Sequence, residues 1–219
     1  MANLITLSRL LLLILVVAIA YRAPPLLQLI NVPLLILVFV TDGLDGYVAR
    51  KRNETSVFGA MFDIAGDRIV ELTMWIVLAD LTYLGLTEKL VPIWVPLVFV
   101  IRGIVIDTIR ANQVTAAGRS PFDMIQSGIG RWIVAGKFMR IFYAVLKAHA
   151  FCWLLLMRPL PVLVPELWAA WSWLLVPVGD FLVYLSALIC VARGLPVVAE
   201  FLYKERASLI PGGGHSRER

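Results

Sequence analysis

Apolar residues in this chain fall into long unbroken runs, separated by short polar or proline-bearing breaks. Only helices and closed barrels satisfy the backbone in lipid, and these continuous runs lack a barrel's alternation. About 20 apolar residues cross the ~30 Å hydrocarbon core of a bilayer. The pattern predicts six spans, at about residues 4–21, 26–49, 58–84, 91–112, 130–157 and 168–203. A turn at 22–25, a short polar loop at 85–90 and a long one at 113–129 separate the earlier spans. Pro159, Pro161 and Pro165 mark a further break, because proline cannot donate to a helix ladder. Trp168, Trp171 and Trp173 suggest an interfacial aromatic belt. Arg9, ahead of an apolar stretch ending near Ala18–Ala20, gives the first run some likeness to a cleaved leader. That run is long enough to span and more spans follow, so it reads as the first transmembrane helix.

The expected fold class is therefore an all-α integral membrane protein with six transmembrane helices. Residues 1–205 form one domain, and the glycine-rich polar stretch 206–219 reads as a flexible tail. Composition agrees: 60% of the 219 residues are hydrophobic and 16% are charged, against about 45–50% and about 25% in soluble domains.

The net charge of +5 does not call for nucleic acid, since basic residues are expected to flank membrane spans. With both termini inside, the cytoplasmic side collects Arg50, Lys51, Arg52, Arg110, Arg119, Arg131, Lys204, Arg206, Arg217 and Arg219. The opposite side receives only Arg22, Lys89 and Arg158. This asymmetry predicts an N-in, C-in orientation, with the loop after residue 50 at the cytoplasmic face. Cys152 and Cys190 stand singly in apolar runs and read as inert core thiols.

Four aspartates interrupt the second and third spans: Asp42, Asp45, Asp63 and Asp67. One charge at mid-bilayer costs about 2.5–3.5 kcal/mol, so four without cations would cost roughly 10 kcal/mol. Asp42, Asp45 and Ala49 fall at i, i+3 and i+7 on one helical face, and Gly59, Asp63 and Asp67 at i, i+4 and i+8 on another. A short loop joins the two helices, so the faces can converge. Carboxylates so arranged suit hard divalent ions such as Mg²⁺, Mn²⁺ or Ca²⁺, and no Cys or His accompanies them to suit zinc. Gly43, Gly46, Ala49, Gly59 and Ala60 leave room for helix packing or a ligand, and Arg50 is placed to fork onto a phosphate. Two ions about 3.5–4 Å apart would clamp the attacking and leaving oxygens of a displacement at phosphorus. The plainer reading is a set of structural salt bridges with Arg50, Lys51, Arg52 and Arg68.

The pattern D-x2-D-G-x2-A-R-x8-G-x3-D-x3-D, met at Asp42, Asp45, Gly46, Ala49, Arg50, Gly59, Asp63 and Asp67, resembles the signature of the CDP-alcohol phosphotransferase family. The resemblance implies transfer of a substituted phosphate from a CDP-linked donor to an alcohol, with release of CMP. It implies that the four aspartates share two divalent cations (Mg²⁺ or Mn²⁺) and that Asp67 is the catalytic base. It places the CDP donor against Gly46, Ala49, Arg50 and Gly59. It further implies a homodimer; the expected setting is the cell's inner membrane, where the charge asymmetry puts the active site at the cytoplasmic face.

The acceptor is less defined. N-L-I-T-L-S-R-L-L at the start and I-R-G-I-V-I-D-T-I-R in the fourth span resemble phosphatidylglycerophosphate synthases. That likeness suggests CDP-diacylglycerol as donor and glycerol 3-phosphate as acceptor, with Arg102 and Arg110 near the acceptor. Ile64 and Arg68 stand where those synthases usually carry proline and lysine, which leaves inositol phosphate open as acceptor; phosphatidylglycerol and serine are further rivals within the same class. Lys137 and Arg140, one turn apart in the fifth span, could bind the acceptor's phosphate, and Arg119 and Arg131 could line a cytoplasmic entrance. Lys147, deeper in that span, reads as snorkelling to headgroups, and Asp180 is given no role. Intramembrane acids also mark ion paths, so a divalent-cation transporter is the alternative of a different class.

Overall fold

The computed structural model describes the backbone of residues 2–52, 57–117 and 136–209, and the side chains of residues 6–43, 59, 61–109, 136 and 138–203. All long elements among the described residues are helices: α1 (Ala2–Arg22), α2 (Pro25–Gln28), α3 (Asn31–Arg52), α4 (Val57–Asp80), α5 (Trp94–Ala117), α6 (Lys137–Met157), α7 (Leu160–Leu163) and α8 (Pro165–Leu209). Three stretches of the described residues, Pro25–Gly43, Phe138–Leu163 and Pro165–Tyr203, are long and apolar enough to cross a membrane.

The chain divides into two compact units. The first comprises Met1–Leu97 and Val145–Ser186, and the second Val98–Ala144 and Ala187–Arg219. In the first unit α1 packs against both α3 and α4. Its core is built from Val16, Leu35, Met74, Trp75, Leu78, Phe151 and Leu154, all buried. Phe151 of α6 lies edge-on to Trp75 of α4 at 4.7 Å and stacks with Phe39 of α3 at 6.5 Å, so one ring joins three helices. Leu11, Ile14, Ile76, Trp173 and Phe181 of the same unit are exposed. So much bare apolar surface suits lipid rather than water.

The predicted spans shift where local chemistry overrides the apolar run. The second one breaks after Gln28, and α3 starts at Asn31. Pro33 has no N–H to bond the Leu29 carbonyl, so the ladder cannot run through, and the Leu29 carbonyl takes Val32 N at 3.3 Å instead. The third ends at Asp80 rather than near 84. Beyond it Thr82 pairs antiparallel with Lys89, and Gly85 turns the chain at φ 77, a conformation glycine adopts without strain. Pro165, expected in a loop, opens α8 at its first position, where a missing N–H costs nothing. The same helix runs on to Leu209, past the expected tail boundary at 205.

Candidate active site

Helices α1, α3 and α4 bring one cation and several acids together in the first unit. A carboxylate oxygen from each of Asp42, Asp63 and Asp67 lies within 4.8 Å of the others. The α4 pair is one turn apart, as its i, i+4 spacing requires, and Asp42 reaches them from α3. The convergence expected from the sequence is thus present for these three. The side chains are 39%, 45% and 56% exposed respectively, so a ligand can reach them.

Arg9 of α1 sits among the acids and is 1% exposed. Its Nη1 donates to Asp67 Oδ1 at 3.0 Å and also pairs with Asp42 Oδ1, while Nη2 stands 3.9 Å from Asp63 Oδ1. Room for the guanidinium comes from Gly66: a Cβ there would meet Arg9 Nη2 at 2.5 Å and Thr6 Cγ2 at 3.0 Å. Sequence reasoning singled out neither residue for the site. The signal available was Arg9 inside an apolar run, a placement that is costly unless the charge is paired.

The candidate small residues fare differently. A Cβ on Gly43 would meet nothing within 4 Å, so the tight approach of α1 and α4 depends on Gly66 instead. Gly59 lies near the start of α4 and is partly exposed. Asp45, Gly46, Ala49 and Arg50 belong to α3 by backbone, but their side chains lie outside the described residues, as does that of Ala60.

A second ion-pair group continues along α4. Glu71, one turn past Asp67, accepts from Lys147 Nζ of α6 at 2.5 Å and from Arg68 Nη1 at 3.0 Å. Lys147 therefore pairs inside the first unit rather than snorkelling. Arg9 pairs with all three site acids, and Arg68 pairs with Glu71.

Of the residues considered for an acceptor, Arg102 and Arg140 fall in the second unit. The aliphatic stem of Arg102 packs over Gly194, where a Cβ would meet Arg102 Cγ at 3.2 Å. Arg140 is exposed on α6. Arg110 and Lys137 are helical by backbone with side chains outside the described set, and Arg119 and Arg131 lie outside the described residues.

The three acids and Arg9, taken as a set, carry two more negative charges than positive. Oxygen-only ligands of that charge, half open to solvent, fit a hard divalent cation. A helical membrane protein with acids gathered in this way belongs among enzymes that manage phosphate charge, or among ion carriers. Comparison with known proteins supplies a family. The family model described as CDP-alcohol phosphatidyltransferase matches residues 1–176, and the chain belongs to that family. It is 32% identical over 68 residues to a protein of Rickettsia typhi (strain ATCC VR-144 / Wilmington) named CDP-diacylglycerol--glycerol-3-phosphate 3-phosphatidyltransferase. A protein of the same name from Rickettsia prowazekii (strain Madrid E) gives the same identity. These matches cover 31% of this chain and 38% of the relatives' length.

Proposed function

We propose that the protein transfers the phosphatidyl group of CDP-diacylglycerol to glycerol 3-phosphate and releases CMP. The observation that carries the reading is the meeting of Asp42, Asp63 and Asp67 within 4.8 Å in a chain of this family. The names borne by the two rickettsial relatives support glycerol 3-phosphate as acceptor. Inositol phosphate, phosphatidylglycerol and serine are the competing acceptors.

In the proposed reaction an acceptor hydroxyl oxygen attacks the phosphorus that carries diacylglycerol. The new O–P bond forms as the P–O bond to the CMP phosphate breaks, and CMP leaves with that electron pair. Asp67 takes the hydroxyl proton on its half-exposed carboxylate, while Arg9 holds Oδ1 and fixes its direction. Asp42, Asp45, Asp63 and Asp67 would hold two divalent ions, Mg²⁺ or Mn²⁺, which neutralise the diphosphate and the charge on the leaving group. Gly46, Ala49, Arg50 and Gly59 would contact the cytidine diphosphate. Arg102, Arg110, Arg119, Arg131, Lys137 and Arg140 would supply positive charge to an anionic acceptor.

The proposal includes six spans with both termini in the cytoplasm and the acid cluster at the cytoplasmic face of the inner membrane. Helices α1, α3, α4, α5 and α6 have 21, 22, 24, 24 and 21 residues and α8 has 45; about 20 suffice to cross a bilayer. The distribution of basic residues supports the orientation.

The test is purified full-length protein with radiolabelled CDP-diacylglycerol, a divalent ion and a panel of alcohols, scored for lipid product. Ion-dependent product with glycerol 3-phosphate is expected. Product with another alcohol alone would move the acceptor, and none with any alcohol would end the reading.

A further inference from the structure

The reading of the acids as a divalent-cation site gives Arg9 no part in ion binding, although a buried guanidinium occupies the space such an ion would share. Arg9 is 1% exposed, bridges Asp42 and Asp67 through Nη1, and faces Asp63 through Nη2. Its Nε and Nη2 have no hydrogen-bond partner among the described residues. A guanidinium that served only to hold helices together would have its donors satisfied by neutral oxygens, as happens elsewhere in the same unit. Arg158 directs Nη1 at the Ala20 carbonyl (2.5 Å) and Gln28 Oε1, and Nε at the Thr82 carbonyl (3.1 Å). Arg9 forgoes such partners for three carboxylates. Gly66 is what admits it, because any side chain there would push Nη2 away.

We propose that Arg9 is the built-in counter-cation of the acid cluster, a positioning residue with two opposed effects. It draws three mutually repelling carboxylates into one site before an ion arrives. It also competes with the incoming ion for the Asp42 and Asp67 oxygens, and so sets the ion concentration the site needs. The proposal rests on the divalent-cation reading, and it assigns Arg9 an effect on ion binding that packing alone would not give. Opposite charges about 4 Å apart near a protein surface interact strongly enough to move a binding constant by tenfold or more. Removing the resident positive charge therefore tightens ion binding, even as it loosens the ion-free protein.

The experiment uses full-length protein in detergent micelles near neutral pH. Thermal unfolding is followed in EDTA and across a Mn²⁺ titration, and free Mn²⁺ is read by paramagnetic resonance. Arg9→Met is expected to unfold at a lower temperature than wild type in EDTA. Its half-saturating Mn²⁺ concentration should be about tenfold lower, so that the gap in stability closes as Mn²⁺ rises. A stability deficit that is the same at every Mn²⁺ concentration, with half-saturation unchanged, would show that Arg9 merely packs and would overturn the proposal. Arg9→Lys keeps the charge and loses the fork. Its half-saturation should fall between the other two, and it decides the matter if Arg9→Met does not fold. Wild type that neither binds Mn²⁺ nor is stabilised by it would instead sink the divalent-cation reading itself.

Discussion

Arg9 and Arg158 are the same side chain, buried almost equally at 1% and 7% exposure, in the same compact unit. Their surroundings differ in charge. Arg158 meets neutral carbonyl and amide oxygens drawn from α1, α2 and the turn after α4, and its own carbonyl takes Leu84 N at 3.0 Å. Ala20 and Gln28 lie at or near the ends of α1 and α2, and Thr82 lies just beyond α4. Arg9 meets three carboxyl groups that remain half open to solvent. One arginine completes a structure, while the other is outnumbered by acids that can take further positive charge. Burial and residue type are alike, so partner charge is what separates a fastening from a functional group.

The largest effect should follow from breaking the acid side of this contrast. Asp67→Asn is expected to lower CMP release by about a thousandfold or more, the scale of a lost general base together with a lost ion ligand. Its unfolding temperature in EDTA should stay within a few degrees of wild type. Removing one of several crowded negative charges relieves repulsion, and Arg9 retains Asp42. Turnover at the wild-type rate would refute the base role.

Next in size is Arg158→Ala. It strands the Ala20 and Thr82 carbonyls and Gln28 Oε1, each worth about 1–3 kcal/mol when buried without a donor, so a loss of about 3 kcal/mol or more is expected. The deficit should be identical in EDTA and in saturating Mn²⁺. Recovery with Mn²⁺ would mean that the two arginines do not differ as described.

Gly66→Ala sharpens the contrast without touching a charge. The new methyl carbon would lie 2.5 Å from Arg9 Nη2 and 3.0 Å from Thr6 Cγ2. The guanidinium is the softer neighbour and should swing off the acids, at a cost of about 1–2 kcal/mol. The variant should then repeat Arg9→Met in reduced form, less stable in EDTA and closer to wild type with Mn²⁺. An equal loss under both conditions would mean that α1 and α4 had been wedged apart instead.

These contrasts mark where the sequence was readable. Asp63 and Asp67 on one face of α4 follow from helical spacing alone, and the short connection to α3 made the meeting with Asp42 foreseeable. Spacing says nothing about which distant residue enters a cluster, and Arg9 pairs with Asp67 across 58 positions. Gly66 and Gly43 look alike in the chain, both small residues beside acids, yet only Gly66 lies under another helix. Lys147 was placed by its depth in an apolar run, and depth could not show that Glu71 waits on the facing helix. The loop read at 85–90 falls where Gly85 turns the chain, but the end of the third span was set at 84 because Leu81–Leu84 continue the apolar run past Asp80.

The smallest effect belongs to the rim of the Arg158 end, where Lys89 and Asp80 are both exposed. Lys89 Nζ donates to the Asp80 carbonyl at 2.5 Å and lies 3.9 Å from Asp80 Oδ1, while Tyr21 donates to Asp80 Oδ2 at 2.7 Å. An exposed ion pair gives about 0–1 kcal/mol, because water screens it and two mobile side chains must be ordered. Lys89→Ala should therefore shift unfolding by no more than a degree or two and leave turnover and the Mn²⁺ response untouched. Raising the salt concentration should shrink even that shift, since screening already weakens the wild-type pair. A clear loss of turnover would mean that this end takes part in the reaction, and that charge balance alone does not tell the two arginine sites apart. Unchanged turnover with a salt-sensitive shift would confine the chemistry to the end where acids outnumber bases.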